Sequence, residues 1–145
     1  MEHDSEKPGP GTGTGTNAGA GDRYRTTGPV YFEHERLDVA RVAREFQILA
    51  ERLNSPRVSS NLRRQFDTAV MSIRSNIAEG AGRTARADKQ RFYEMARGST
   101  TEAATHLDIL HIKRLITDAE FQQGRNLLAR VAMMLTRMSG RPRKT

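Results

Sequence analysis

The chain has no cysteine and no tryptophan, and only five phenylalanines and three tyrosines among its 145 residues. Without cysteine there can be no disulfide staple, thiolate metal site or thiol nucleophile, so the core must hold by packing alone. No run approaches the roughly 20 consecutive apolar residues that span a bilayer. The start, Met1-Glu2-His3-Asp4-Ser5-Glu6, lacks the basic end and apolar centre of a signal peptide. These absences predict a cytoplasmic chain with no membrane contact. Lysine is scarce as well: twenty of the 24 basic residues are arginine and four are lysine. That skew favours bidentate contacts to phosphate or carboxylate, although codon bias in the genome produces the same skew.

A hydrophobic content of 36% with a mean hydropathy of −0.69 describes a polar-surfaced chain, and its length suits one ordinary domain. The net charge of +7 is unevenly placed. Residues 1–30 hold three basic and four acidic side chains, so the remainder carries +8. Such a surplus favours a polyanionic partner, because neutralising phosphates releases condensed counterions.

Residues 1–29 form a low-complexity arm in which Gly9-Pro10-Gly11-Thr12-Gly13-Thr14-Gly15-Thr16 alternates glycine with threonine. An arm of this composition cannot bury a core and is predicted to be disordered. Its glycines do not make a phosphate loop, since no strand precedes them, no Gly-Lys-Ser/Thr closes them and no helix follows directly. Residues 30–139 are predicted to form the folded domain, and 140–145, Gly140-Arg141-Pro142-Arg143-Lys144-Thr145, a basic tail that either extends a phosphate-binding surface or solubilises the end.

From Tyr31 onward the hydrophobic period is helical, and no stretch alternates long enough to be a strand. Four helices are predicted. The first covers about 34–53, with Leu37, Ala40, Ala43, Phe46, Ala50 and Leu53 on one face. Asn54-Ser55-Pro56 breaks it, with Ser55 placed to cap the next helix and Pro56 in its first turn. The second begins near 57 or 60 and runs to about 80, with Leu62, Phe66, Ala69, Val70, Ile73 and Ile77 in a stripe and Gly80 and Gly82 as its stop. The third spans about 86–115, carrying Phe92, Ala96, Ser99, Ala103, Leu107 and Leu110, and the fourth about 118–139, carrying Phe121, Leu127, Leu128, Val131, Met134, Leu135 and Met138. Helices near 20 residues joined by short connections favour an all-α, antiparallel up-down-up-down four-helix bundle.

Several residues are not needed by that fold. Ser72, Asn76 and Glu79 share a ridge beside the stripe of the second helix, where short polar groups bond a neighbouring helix and Asn76 can help cap the helix end. Gly98 stands mid-helix among the small residues Ser99, Ala103 and Ala104, which predicts a close helix crossing. Glu102 lies on the flank of the same helix and is expected to pair with Arg83 or Arg91.

Leu62-Arg63-Arg64-Gln65, Ser72-Ile73-Arg74-Ser75-Asn76-Ile77-Ala78-Glu79-Gly80, Arg91-Phe92 and Ala96-Arg97-Gly98-Ser99-Thr100-Thr101-Glu102 occur in that order. With this set the chain resembles the bacterial four-helix bundle family that includes the 23S rRNA-intervening sequence proteins and is related to the accessory variability determinant of diversity-generating retroelements. The resemblance covers about 35–138. Family members often have proline where this chain has Arg74 and a serine cap where it has Ala85, although Thr84 can cap instead and Asp88 supplies a first-turn acid. The resemblance implies a homo-oligomer, a five-fold ring of bundles, with basic surface available for nucleic acid and with no enzymatic activity. It makes Ser72, Asn76, Glu79, Gly80, Arg83, Gly98, Ser99 and Glu102 a signature of assembly.

Catalytic parts are few. His3 lies in the arm, His34 at a helix start, and His106 and His111 are five residues apart, a spacing that splits them between helix faces rather than placing them as an i, i+4 metal pair. The glutamates do not repeat the Glu-x-x-His spacing of di-iron bundles. No metal, cofactor or catalytic residue is expected. The predicted function is a non-enzymatic oligomeric adaptor that binds RNA or DNA, or docks a nucleic-acid enzyme such as a reverse transcriptase. Its candidate contacts are Arg57, Arg63, Arg64, Arg83, Arg86, Arg91, Arg141, Arg143 and Lys144. The competing expectation is a protein-interaction module whose charges are a solvated face.

Overall fold

The structure, a computed structural model, describes residues 28–140. Most of the glycine-rich arm and all of Arg141, Arg143 and Lys144 lie outside the described residues. A 3-10 turn, Glu33–Arg36, is followed by four helices: α1 (Asp38–Arg52), α2 (Ser60–Gly82), α3 (Arg86–Ile112) and α4 (Asp118–Met138). The described residues contain no strand.

The helix ends depart from expectation where a side chain or a backbone angle overrides periodicity. The first helix begins at Asp38 rather than near 34. Glu35 accepts the Phe32 N–H at 2.7 Å, and Leu37 takes an extended conformation, so a separate turn closes ahead of α1. Ser55 does not cap α2: its Oγ accepts the Arg57 N–H at 3.2 Å, and its carbonyl accepts the Val58 N–H. Pro56 therefore sits in a tight turn, outside the helix. The cap is Ser59, which accepts the Leu62 N–H at 3.3 Å. Neither Thr84 nor the N-cap residue Ala85 provides a side-chain cap for α3.

The third helix stops at Ile112, short of 115. Arg114 adopts φ 56°, and the Leu115 N–H reaches back to the Leu110 carbonyl at 2.9 Å. This is a Schellman-type ending with arginine where glycine is usual, so the sequence carries no sign of it. The start of α4 is conventional: Thr117 and Glu120 cap each other reciprocally at 3.1 and 2.8 Å.

Consecutive helices pack against each other, α4 also packs against α1, and the backbones of the diagonal pairs stand farther apart. That cyclic neighbour pattern with short connections is the up-down-up-down bundle. Its centre holds Phe46, Ile73, Ile77, Leu107, Leu110, Val131 and Leu135, each 2% exposed or less. On α3 the buried line runs through Tyr93 and Thr100, whereas the expected Phe92 and Ser99 stand half-buried beside it. On α1, Leu37 and Ala40 are likewise half-buried, and Val39, Val42 and Leu49 complete the inward face.

Close crossings occur at two glycines, neither of them Gly98. A Cβ on Gly80 would stand 2.6 Å from Cε1 of Tyr93, and one on Gly124 would stand 2.8 Å from Cδ2 of Leu107. Gly98 is exposed, with nothing within 4 Å of such a Cβ. Gly80 is thus a packing residue inside α2 rather than its stop. Gly80→Ala should destabilise the bundle by about 1–3 kcal/mol through overpacking against a buried ring. Gly98→Ala should stabilise it by about 1 kcal/mol, because it removes only a helix-propensity penalty. Thermal unfolding of the two variants should therefore move in opposite directions.

Candidate assembly ridge and nucleic-acid surface

The helical step brings Ser72 and Asn76 together on α2 and aims them at α3. Ser72 Oγ lies 2.7 Å from Ser99 Oγ across the interface. Asn76 Nδ2 donates to the Ser72 carbonyl at 2.9 Å and to Ser72 Oγ at 3.1 Å. Ser72 Oγ accepts from Asn76 and shares one hydroxyl proton with Ser99 across the interface, so the three side chains form one connected set. Asn76 therefore bonds backwards along its helix and does not cap the end of α2.

Lys89 closes that end instead. Its Nζ donates to the carbonyls of Gly80 and Ala81 at 3.2 and 2.9 Å, satisfying acceptors the helix leaves open and placing a cation at the negative end of its dipole. Arg74, standing where family members often have proline, leaves α2 unbroken and donates through Nη1 to Gln47 of α1. Burial raises the hydroxyl pKa of Tyr93, which packs against Gly80, above its ordinary value of 10.

Glu79 is exposed and pairs at 3.2 Å with Arg83, the extended residue just past the end of α2, outside the Ser72–Asn76–Ser99 set. Glu102 pairs with neither Arg83 nor Arg91. Instead the His106 ring, one turn on, lies 3.7 Å from the Glu102 carboxylate, while Arg91 faces Asp88 at 4.0 Å. The reason is geometric: Arg91 stands eleven residues before Glu102, about 16 Å along one helix. His106 is buried, and among the described residues neither of its ring nitrogens has a hydrogen-bond partner. His111 instead joins α3 to α4, with Nε2 2.6 Å from Asp118 Oδ1 and its ring stacked on Phe121 at 4.0 Å. Among the described residues no three His, Asp or Glu side chains converge as a metal site. Among the same residues, no helix is long and apolar enough to cross a membrane.

The candidate arginines fall into two groups at opposite ends of the bundle. Arg83, Arg86 and Arg91 are exposed around the turn from α2 to α3, and the guanidinium carbons of Arg83 and Arg91 each lie 4.8 Å from the centre of the Phe92 ring. Arg57, Arg63 and Arg64 surround the start of α2, about 30 Å away along a helix of 23 residues. Arg63 pairs there with Asp67 at 3.5 Å, and Arg64 reaches Asn61. Gly140, at φ 73°, is seated against Gln90: a Cβ on it would stand 2.7 Å from Nε2 of that side chain. Gly140, the last described residue, thus lies at the end that carries Arg83, Arg86 and Arg91.

One further charged surface emerges only from the packing of the helices. Asp38, Arg41, Val42 and Glu45 of α1 and Arg130, Met133, Met134 and Arg137 of α4 line a groove of about 440 Å³ between these helices. Asp38 pairs with Arg41, whereas Glu45, Arg130 and Arg137 make no ion pair among the described residues. Its legible signal in the sequence is charge at intervals of seven, acids at 38 and 45 and arginines at 130 and 137.

No curated protein matches the chain. The sequence pattern described as 23S rRNA-intervening sequence protein matches residues 35–137, from the 3-10 turn to the last turn of α4, and the chain belongs to that family.

Proposed function

We propose that the protein is a non-enzymatic, self-associating bundle that holds RNA or DNA at the end of the bundle formed by the α2–α3 turn. The observation that carries this reading is the pair of exposed guanidinium groups, Arg83 and Arg91, gathered on Phe92 with Arg86 beside them. Stacking on the ring restrains the guanidinium planes while leaving their N–H edges for phosphate. The basic tail, leaving beside Gln90, adds three further cations within its reach of at most about 3.6 Å per residue. Arg57, Arg63 and Arg64, at the other end, are secondary contacts available to a second segment of a long nucleic acid. The family's name supports a nucleic-acid setting. Docking of a reverse transcriptase and assembly as a five-fold ring are finer forms of the same proposal, resting on the resemblance alone.

Fluorescence anisotropy with a labelled single-stranded RNA tests it. Three phosphate contacts predict a loss of affinity of roughly twentyfold between 50 and 200 mM salt, with little dependence on sequence. No binding at 50 mM, or binding indifferent to salt, would refute the reading.

A protein-interaction module is the second reading. Exposed Met71, Met95 and Met133, at 55%, 47% and 60%, favour it, because methionine suits adaptable protein contacts. Under that reading Glu79→Ala or Glu102→Ala lowers the assembled mass, and any RNA binding falls only in step with it.

A further inference from the structure

We infer that the α1–α4 groove is a self-docking surface in which the acidic stripe of α1 in one copy meets the arginine stripe of α4 in another. The inference rests on the self-association in the proposed function and assigns it to a face and to particular residues.

Asp38 and Glu45 are seven residues apart, as are Arg130 and Arg137, and two turns of helix separate each pair by about 10.5 Å. The helices are antiparallel, and Leu49 of α1 approaches Gly124 of α4 within van der Waals range. In that register Asp38 stands within two residues, about 3 Å, of the level of Arg137, and Glu45 within the same distance of the level of Arg130. The groove between them keeps these pairs apart within one subunit: neither Asp38–Arg137 nor Glu45–Arg130 closes to an ion pair. A second copy laid with its α1 along the first copy's α4 removes that separation. Asp38 then faces the partner subunit's Arg137, and Glu45 faces the partner subunit's Arg130, at matched spacing.

The apolar content of the face fits the same occupant. Met133 is 60% exposed between the two arginines, and Ile48, 45% exposed, follows Glu45 by one turn of α1. Heptad spacing of charge around an apolar centre is how paired helices choose partner and orientation. A nucleic acid suits this groove less well, because Asp38 and Glu45 would oppose its phosphates. The pair Asp38–Arg41 is fully on the surface and is cheaply exchanged for a contact between subunits.

Three charge variants of the full chain test the inference by light scattering coupled to size exclusion, with circular dichroism as the folding control. Arg130→Glu with Arg137→Glu leaves both stripes acidic, and Asp38→Arg with Glu45→Arg leaves both basic. Each double variant should stay helical while its dissociation constant for self-association rises at least about tenfold. The quadruple variant, with the stripes exchanged, should recover the wild-type mass. Assembly that persists in both double variants would overturn this interface while leaving the RNA reading intact. A wild-type chain that is monomeric at every concentration would overturn both this interface and the self-association on which it rests. Loss of RNA binding at unchanged mass would give the groove to nucleic acid and likewise overturn the inference.

Discussion

Reversing three charges at one end of the bundle, in an Arg83→Glu, Arg86→Glu, Arg91→Glu variant, is expected to lower RNA affinity on the order of a hundredfold at 100 mM salt. For every phosphate the variant no longer neutralises, the slope of log affinity against log salt for single-stranded RNA should also fall by about 0.7. The fold should tolerate the change. Arg83 and Arg91 are exposed, their partners Glu79 and Asp88 are only four and three residues away in the chain, and such pairs contribute well under about 1 kcal/mol. A melting temperature within a few degrees of wild type would therefore accompany the loss of binding. The matching reversal at Arg57, Arg63 and Arg64 serves as the contrast, since it removes the same formal charge from the opposite end. Equal losses from the two variants would show that net charge alone governs binding and would remove the α2–α3 turn from its special place.

Phe46→Ala is expected to have the largest effect on stability, a loss of about 3–5 kcal/mol. Phe46 is 1% exposed at the centre of α1, and its ring meets that of Phe66 edge-on, with centroids 6.0 Å apart. The variant forfeits the transfer energy of the ring, leaves a cavity between α1 and α2, and loses an aromatic pair worth about 0.5–1.5 kcal/mol beyond its area. A small domain is stable by only about 5–15 kcal/mol, so thermal unfolding should shift by on the order of 15–25 °C. A shift below about 5 °C would mean that neighbouring side chains collapse into the space, and the core would be more adaptable than its burial indicates.

Phe46 and the arginines differ in how visible they are in the sequence. Phe46 is legible because burial on a helix recurs with a fixed period, and α1 keeps Ala43, Phe46, Ala50 and Leu53 in step with it. The arginines are legible as a class but not as a site. Sequence order places Arg57 closer to Arg83 than Arg141, yet the antiparallel turn puts Arg57 at the far end of α2 and Gly140, the residue before Arg141, beside Gln90. The expected pairing of Glu102 with Arg83 or Arg91 fails for a related reason. A helix holds residues 91 and 102 three turns apart, whereas His106, one turn away, is within reach.

Periodicity, composition and the order of small motifs determined by themselves that this is an all-helical bundle of its family, because those features depend only on which residues share a helix face. Tertiary structure alone decided where the helices stop, which glycines admit a close crossing, and which charges meet. Arg114 ends α3 through a backbone angle, Gly80 rather than Gly98 lies beneath a ring from α3, and Lys89 closes α2 from the next helix. In each case the partner lies on another element or in a dihedral angle, and the periodicity of a single helix carries no record of either.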